Sequence, residues 1–123
     1  MKKILGLAFA LMIGALTFGQ SPVTFTEDLS SFDKNSTTEF HFTFDNTISG
    51  ENISKNSSFY TDYFEVVADQ RDDGHAVAIV LNQDDEISRK VIQRFFVSLQ
   101  VKTIMVDGND MDLNEFMETY IHK

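Results

Sequence analysis

The chain contains 19 Asp and Glu residues, and several of these carboxylates lie together in short polar stretches. Asp84 and Asp85 precede a helical pattern, whereas Asp107 and Asp110 follow an apolar run. If both stretches lie at one end of a sheet, their oxygens form an acidic pole of the kind that holds calcium. A calcium or small-ligand site in these loops is one hypothesis, and a set of solvated turns is the simpler alternative.

Three of the few cations are also close together. Arg89 and Lys90 are adjacent, and Arg94 follows Lys90 by one helical turn. This spacing suits contact with an acidic partner or a carboxylated ligand. The same residues also fit a solvated helix face, because Asp85 with Arg89 and Glu86 with Lys90 form favourable i,i+4 pairs.

No pattern of catalytic residues accompanies these charges. The chain has no G-x-S-x-G segment, no Gly-rich phosphate loop and no cysteine, which removes the usual signatures of serine hydrolases, nucleotide-binding enzymes and thiol enzymes. His41, His75 and His122 show no spacing typical of zinc ligands. We therefore predict no catalytic residues, no metal and no cofactor, and a hydrolase built from distant acids remains only an open third class.

Length and charge restrict the class of partner. The chain has 123 residues, which favours one domain, and a net charge of −9. A strongly acidic surface repels nucleic acid and anionic lipid, so neither is expected as a partner. The lack of cysteine also excludes disulfides and iron–sulfur clusters.

The N-terminus has the three-part pattern of a secretory signal peptide. Lys2 and Lys3 form the basic start, residues 4–16 form an apolar run, and small residues end at Gly19. The run is shorter than the roughly 20 residues of a membrane span. We therefore expect residues 1–19 to be a signal peptide, cleaved near Gly19 or Gln20. The remaining chain would be periplasmic or secreted, with no stable membrane insertion and a charge of −11 from 8 basic and 19 acidic residues.

The rest of the chain predicts alternating strands and helices. Residues 20–37 are polar, and we interpret them as a flexible N-terminal arm or edge segment. Period-2 and apolar patterns predict strands at 39–44, 64–68, 76–81 and 101–106. Residues 50–63 have only a weak helical pattern, whereas residues 84–99 predict a strongly amphipathic helix. Residues 113–121 predict a final helix with Asp112 as its N-cap.

This order predicts a single α+β domain over residues 38–123. It matches the ferredoxin-like split βαβ arrangement (βαββαβ), an antiparallel sheet with helices on one face, plus an added C-terminal helix. Over residues 38–107 it resembles a heavy-metal-associated domain of the copper-chaperone type. Residues 43–49, which correspond to that family's metal loop, contain no Cys or Met, so the resemblance implies the fold without the metal chemistry. The chain is also similar to small exported bacterial proteins of unknown function.

The leading functional hypothesis is an exported, non-enzymatic interaction module. Residues 76–81 are apolar on both faces of their predicted strand, which indicates that the second sheet face is covered. The arm, a second copy in a homo-oligomer, or a protein partner would supply the cover. The contact surface would be a sheet face left open by the helices, or an edge strand.

Overall fold

The computed structural model describes residues 21–123, so the signal-peptide prediction lies outside the described residues. The domain is α+β, with a mostly antiparallel six-stranded sheet and three helices. The strands are β1 (Val23–Phe25), β2 (Glu39–Asp45), β3 (Phe64–Arg71), β4 (Gly74–Leu81), β5 (Thr103–Val106) and β6 (Asn109–Asp112). The helices are α1 (Gly50–Ser57), α2 (Glu86–Ser98) and α3 (Leu113–Phe116).

The strands lie in the order β3-β4-β2-β1-β5-β6. All neighbouring pairs are antiparallel except β1 with β5, which run parallel. The sheet therefore has two more strands than the four that the sequence predicts, namely β1 and β6.

Strand β1 corrects the prediction of a flexible arm or edge segment at 20–37. Val23–Phe25 lies between β2 and β5, and both Val23 and Phe25 are buried. The Asp45 N–H donates to the Pro22 carbonyl at 2.8 Å, and the Thr26 N–H donates to the His41 carbonyl at 3.0 Å. A three-residue strand is too short to show a period-2 pattern, so its pairing is decided by the neighbouring strands.

The chain reverses between β5 and β6 at Asp107 and Gly108, both with positive φ angles of 52° and 83°. The sequence predicts this turn, although not the strand after it. The Asp112 carboxylate accepts the Asn114 N–H at 3.0 Å, which confirms the predicted N-cap. Helix α3 then continues as the π-helical turn Met117–Ile121.

The predicted helix at 50–63 is shorter than expected. Helix α1 is capped by the Ser49 hydroxyl, which accepts the Asn52 N–H at 3.1 Å. It passes into the 3₁₀ turn Ser58–Tyr60, and β3 begins at Phe64. Ile53 is the only residue of α1 that is buried, which explains the weak helical pattern.

The core lies between one face of the sheet and the helices. Phe40, Phe42 and Phe44 alternate along β2 and are all buried, as their spacing predicts. The ring centroid of Phe42 is 5.1 Å from that of Phe96 on α2 and 6.0 Å from that of Phe116 on α3. Aromatic packing therefore fixes α2 and α3 on the same face of the sheet.

Ile87, Val91, Phe95 and Phe96 belong to an apolar stripe that predicts which side of α2 is buried. Val91, Phe95 and Phe96 are buried, but Ile87 is 65% exposed, so the helix is rotated slightly from this prediction. Arg89 is buried in place of Ile87. None of the helices in residues 21–123 combines the length and the hydropathy needed to cross a membrane.

Candidate interaction surface

Within residues 21–123, no helix covers one face of the sheet, and we call it the open face. Cross-strand registers place a mixed set of side chains on it, half-buried or exposed. They are Thr24, Glu39, His41, Thr43, Glu65, Val67, Asp69, Arg71, Ala76, Ala78, Val80 and Met105. Small residues on β4 form the floor of a shallow depression of about 490 Å³ here.

His41 lies at the centre of the open face between two carboxylates. Its Nδ1 is 2.7 Å from Glu27 Oε2, and its Nε2 is 2.7 Å from Glu39 Oε2. The His41 backbone N–H also donates to Glu27 Oε2 at 2.8 Å. Partial burial lowers the pKa of His41, but the hydrogen bonds with Glu39 and Glu27 and their charges outweigh this and raise the pKa overall.

This arrangement ties the segment after β1 to the sheet. Both imidazole nitrogens of His41 are engaged, so neither is free to bind a metal or to act as a base. Among residues 21–123, no group of three or more His, Asp or Glu side chains is placed to hold a metal ion.

The free edge of the sheet at β3 adjoins the open face. β3 is eight residues long, pairs with β4 without a bulge, and has no other neighbouring strand in the described part of the chain. The Asn82 N–H donates to the Tyr63 carbonyl at 3.0 Å. Hydrogen-bonded pairs alternate along an antiparallel ladder, so Glu65, Val67, Asp69 and Arg71 bond to β4. The N–H and C=O groups of the alternate residues, Phe64, Val66, Ala68 and Gln70, point away from the sheet.

The opposite edge of the sheet is much less suited to pairing. Strand β6 has four residues and is itself acidic, with Asp110 and Asp112 and no cation. Short, charged edge strands resist addition of a further strand. The two edges therefore differ in length and in charge.

The structure separates the three predicted partner-binding cations. Arg89 is wholly buried, which corrects its prediction as a contact residue. Its Nη1 donates to the Lys34 and Ile121 carbonyls at 2.7 and 2.8 Å, and its Nη2 donates to the Thr37 carbonyl at 2.7 Å. Its Nε donates to Asp84 Oδ1 at 2.8 Å. Arg89 thus joins α2 to the β1–β2 connection and to the C-terminus.

Lys90 and Arg94 are exposed and line a groove of about 640 Å³ together with Tyr60, Gln93 and His122. The Lys90 Nζ is 3.9 Å from Glu86 Oε2, as the i,i+4 spacing predicts. The predicted pair of Asp85 with Arg89 is wrong, because Asp85 caps α2 and accepts the Ser88 N–H at 2.7 Å.

The four acids of the predicted cation pole have separate structural roles. Asp84 bonds to Arg89 and lies 3.0 Å from the Lys123 Nζ, and its hydrogen bond with Arg89 lowers its pKa. Asp110 accepts the Ser21 N–H at 3.2 Å, and Asp107 lies in the β5–β6 turn. The calcium hypothesis therefore has no assembled group of ligands among residues 21–123.

The edge at β3 is longer than the sequence predicts. Its expected range ends at residue 68, because Asp69, Gln70 and Arg71 are polar and suggest a loop. The backbone stays paired as far as Arg71, and Asp72 and Asp73 form a two-residue turn. Asp73 and Gly74 predict a turn in a loop over residues 69–74 that joins the two strands as a hairpin. The hairpin is confirmed, and the loop is shorter than predicted.

Comparison of the chain with protein-family models, curated proteins and solved structures finds no match.

Proposed function

We propose that this protein is an exported, non-enzymatic interaction module that binds an extended segment of a protein partner as an added strand at the β3 edge. The observation that carries this proposal is the eight-residue β3 with one sheet neighbour and outward backbone groups at Val66, Ala68 and Gln70. An added strand satisfies those groups by main-chain hydrogen bonds. The adjoining open face supplies side-chain pockets.

The rival calcium-binding function has weaker support. Asp84 is bonded to Arg89, and the Asp85 carboxylate caps α2. A cation would have to compete with these partners, because calcium needs several oxygens at once.

The strand directions favour a wider version of the ferredoxin-like arrangement. β2 and β3 are both antiparallel to β4, which lies next to each of them. These directions are those expected of a split βαβ unit, and we propose that α1 is its crossover. In the proposed variant, β1 is inserted between β2 and β5, and β6 extends the other edge.

Partner binding is tested by placing a photoreactive amino acid at Gln70 in the full chain, expressed in a bacterial host that exports it. We expect an adduct of discrete mass, because Gln70 would lie beside the added strand. The same amino acid at Glu115, an exposed position on α3, is the control. Ala68→Pro removes an outward N–H without removing a bond to β4, so it should abolish the adduct.

Failure to form an adduct at Gln70, or equal adducts at Gln70 and Glu115, would contradict binding at this edge. Export is tested separately by the mass of the purified protein. We expect the loss of about 19 residues from the N-terminus, and an intact N-terminus in the periplasmic or secreted fraction would contradict the proposed cleavage.

A further inference from the structure

The charge pattern along β3 points to one occupant of this edge, which is a second copy of the same chain. We infer that two copies pair antiparallel through β3, about a twofold axis at Ala68. This inference rests on the proposed function, since it identifies the partner of that same edge.

The first support is that the backbone groups match in this register. An axis at Ala68 places Ala68 opposite Ala68 of the second copy, and Val66 opposite Gln70 of the second copy. All three residues have outward N–H and C=O groups. Each such pair exchanges two backbone hydrogen bonds, so the register pairs the outward groups of Val66, Ala68 and Gln70 in both copies and makes one continuous sheet. Only Phe64, at the start of the strand, lies beyond the paired region.

The second support is charge complementarity. The same register places Glu65 opposite Arg71 of the second copy, and symmetry repeats the pair at the other end of the strand. Both side chains are exposed on the open face, and Arg71 has only a loose contact with Asp69 at 3.8 Å. These residues fall at non-hydrogen-bonded positions, where opposite side chains are closest.

Neighbouring registers lose this complementarity. An axis at Val67 places Glu65 opposite Asp69 of the second copy, and an axis at Asp69 places two Asp69 side chains together. An axis at Gln70 opposes Asp69 and Arg71 but shortens the paired region, because the strand ends at Arg71. Opposite charges across a strand pair are favourable and like charges are unfavourable, so the axis at Ala68 is the alignment of these four that combines unlike pairs with the longer paired region.

The pattern also differs from that of a protected edge. Proteins blunt an exposed edge with short strands, bulges, prolines or charged side chains. β3 is long and regular and contains no Pro, and its charged residues Glu65 and Arg71 oppose each other when the strand pairs with itself about Ala68. If β6 paired with β6 of a second copy, no register would place opposite charges across from each other, because its only charged residues are acidic.

A single cysteine tests the axis directly, because the chain contains none. Cα atoms of a hydrogen-bonded antiparallel pair are about 5.5 Å apart, which is within disulfide range. Ala68→Cys in the full-length protein should therefore form a covalent dimer under mild oxidation. Val97→Cys, at an exposed position on α2, is the matched control and should not.

Charge reversal tests the register. We expect Glu65→Arg and Arg71→Glu each to raise the dimer dissociation constant by at least about tenfold, because each replaces two attractive pairs with two repulsive ones. The double variant should restore wild-type dimerisation, since the pairs reform with exchanged signs. Glu115→Arg controls for the change in net charge, and sedimentation equilibrium gives the constants.

The outcomes separate this inference from the proposed function. A monomer at high micromolar concentration with no Ala68→Cys cross-link would overturn the second-copy inference. A dimer whose dissociation constant is unchanged by Glu65→Arg and by Arg71→Glu would also overturn it. In either case, a Gln70 adduct with a different protein would leave the proposed function standing, and no adduct at all would overturn both. A Gln70 adduct of twice the chain mass, with rescue by the double variant, would support both.

Discussion

Replacement of Arg89 by leucine should destabilise the domain severely, although the residue lies on a helix that the sequence presents as a charged surface. The guanidinium is wholly buried and donates to three backbone carbonyls and to Asp84. Leucine keeps part of the volume and supplies no donor. The carbonyls of Lys34, Thr37 and Ile121 would then lose their shared partner.

The magnitude follows from the burial of each acceptor. The bond to Ile121 is fully buried, so its unpaired carbonyl costs about 1–3 kcal/mol. The other acceptors are partly accessible and regain some hydration. The guanidinium also lies 5.5 Å from the ring centroid of Phe40, a contact that contributes about 0.5–2 kcal/mol. These two terms add to about 1.5–5 kcal/mol. With the smaller losses at the partly accessible acceptors, we expect about 3–5 kcal/mol, the range for other broken buried charge networks.

Urea unfolding followed by circular dichroism at neutral pH measures this loss. Arg94→Leu is the matched control, because Arg94 is on the same helix and exposed, and it should change stability by no more than about 0.5 kcal/mol. Arg89→Lys should fall between the two, since one ammonium group keeps the charge but cannot reach all four acceptors. Equal losses for Arg89→Leu and Arg94→Leu would refute the network as a source of stability.

Four further predictions follow from the same contacts. Glu27→Gln should lower the pKa of His41, which an NMR titration would measure. Because the pKa of His41 is raised in the folded protein, the contribution of His41 to stability is present below about pH 6.5 and is lost as the pH rises through the folded pKa. Asp84→Asn should make the free energy of unfolding depend less on pH in acid, as urea unfolding at a series of acidic pH values would show. Because the pKa of Asp84 is lowered in the folded protein, the contribution of Asp84 to stability is present above about pH 3.8 and is lost as the pH falls through the folded pKa. Gly74→Ala should cost more than about 3 kcal/mol in urea unfolding, because its Cβ would lie 2.0 Å from the Phe44 carbonyl oxygen, whereas Gly108→Ala meets no atom and should cost only about 1 kcal/mol for its positive φ. Millimolar calcium should leave the melting temperature unchanged relative to chelator; binding at one hundred times the dissociation constant would add about 2.7 kcal/mol, and a specific shift of roughly 10 °C would restore the calcium hypothesis.

Local patterns in the sequence predict much of the secondary structure correctly. Alternating Phe40, Phe42 and Phe44 specify a half-buried strand, and the apolar stripe that includes Phe95 specifies α2. Asp112 marks the start of α3. Periodicity and capping act over one or two turns of chain, so they can be detected without knowledge of distant contacts.

The positions of the charged residues depend on contacts that sequence patterns do not contain. Arg89 and Arg94 have the same residue type and lie on the same helix, yet one is buried and the other is exposed. The acceptors of Arg89 come from residues 34, 37 and 121, far away in the chain. Only the assembled domain brings these carbonyls together.

The sequence by itself determined the α+β class, most strand and helix positions, and the absence of cysteine chemistry, because these depend on composition and short-range periodicity. Tertiary structure alone decided that Val23–Phe25 lies inside the sheet, that β3 continues to Arg71 and that β3 is the longer of the two edge strands in residues 21–123. The physical reason is that strand order and edge exposure arise from backbone hydrogen bonds between distant segments. Those bonds use the main chain, which is the same for nearly every residue, and therefore leave little signal in residue type.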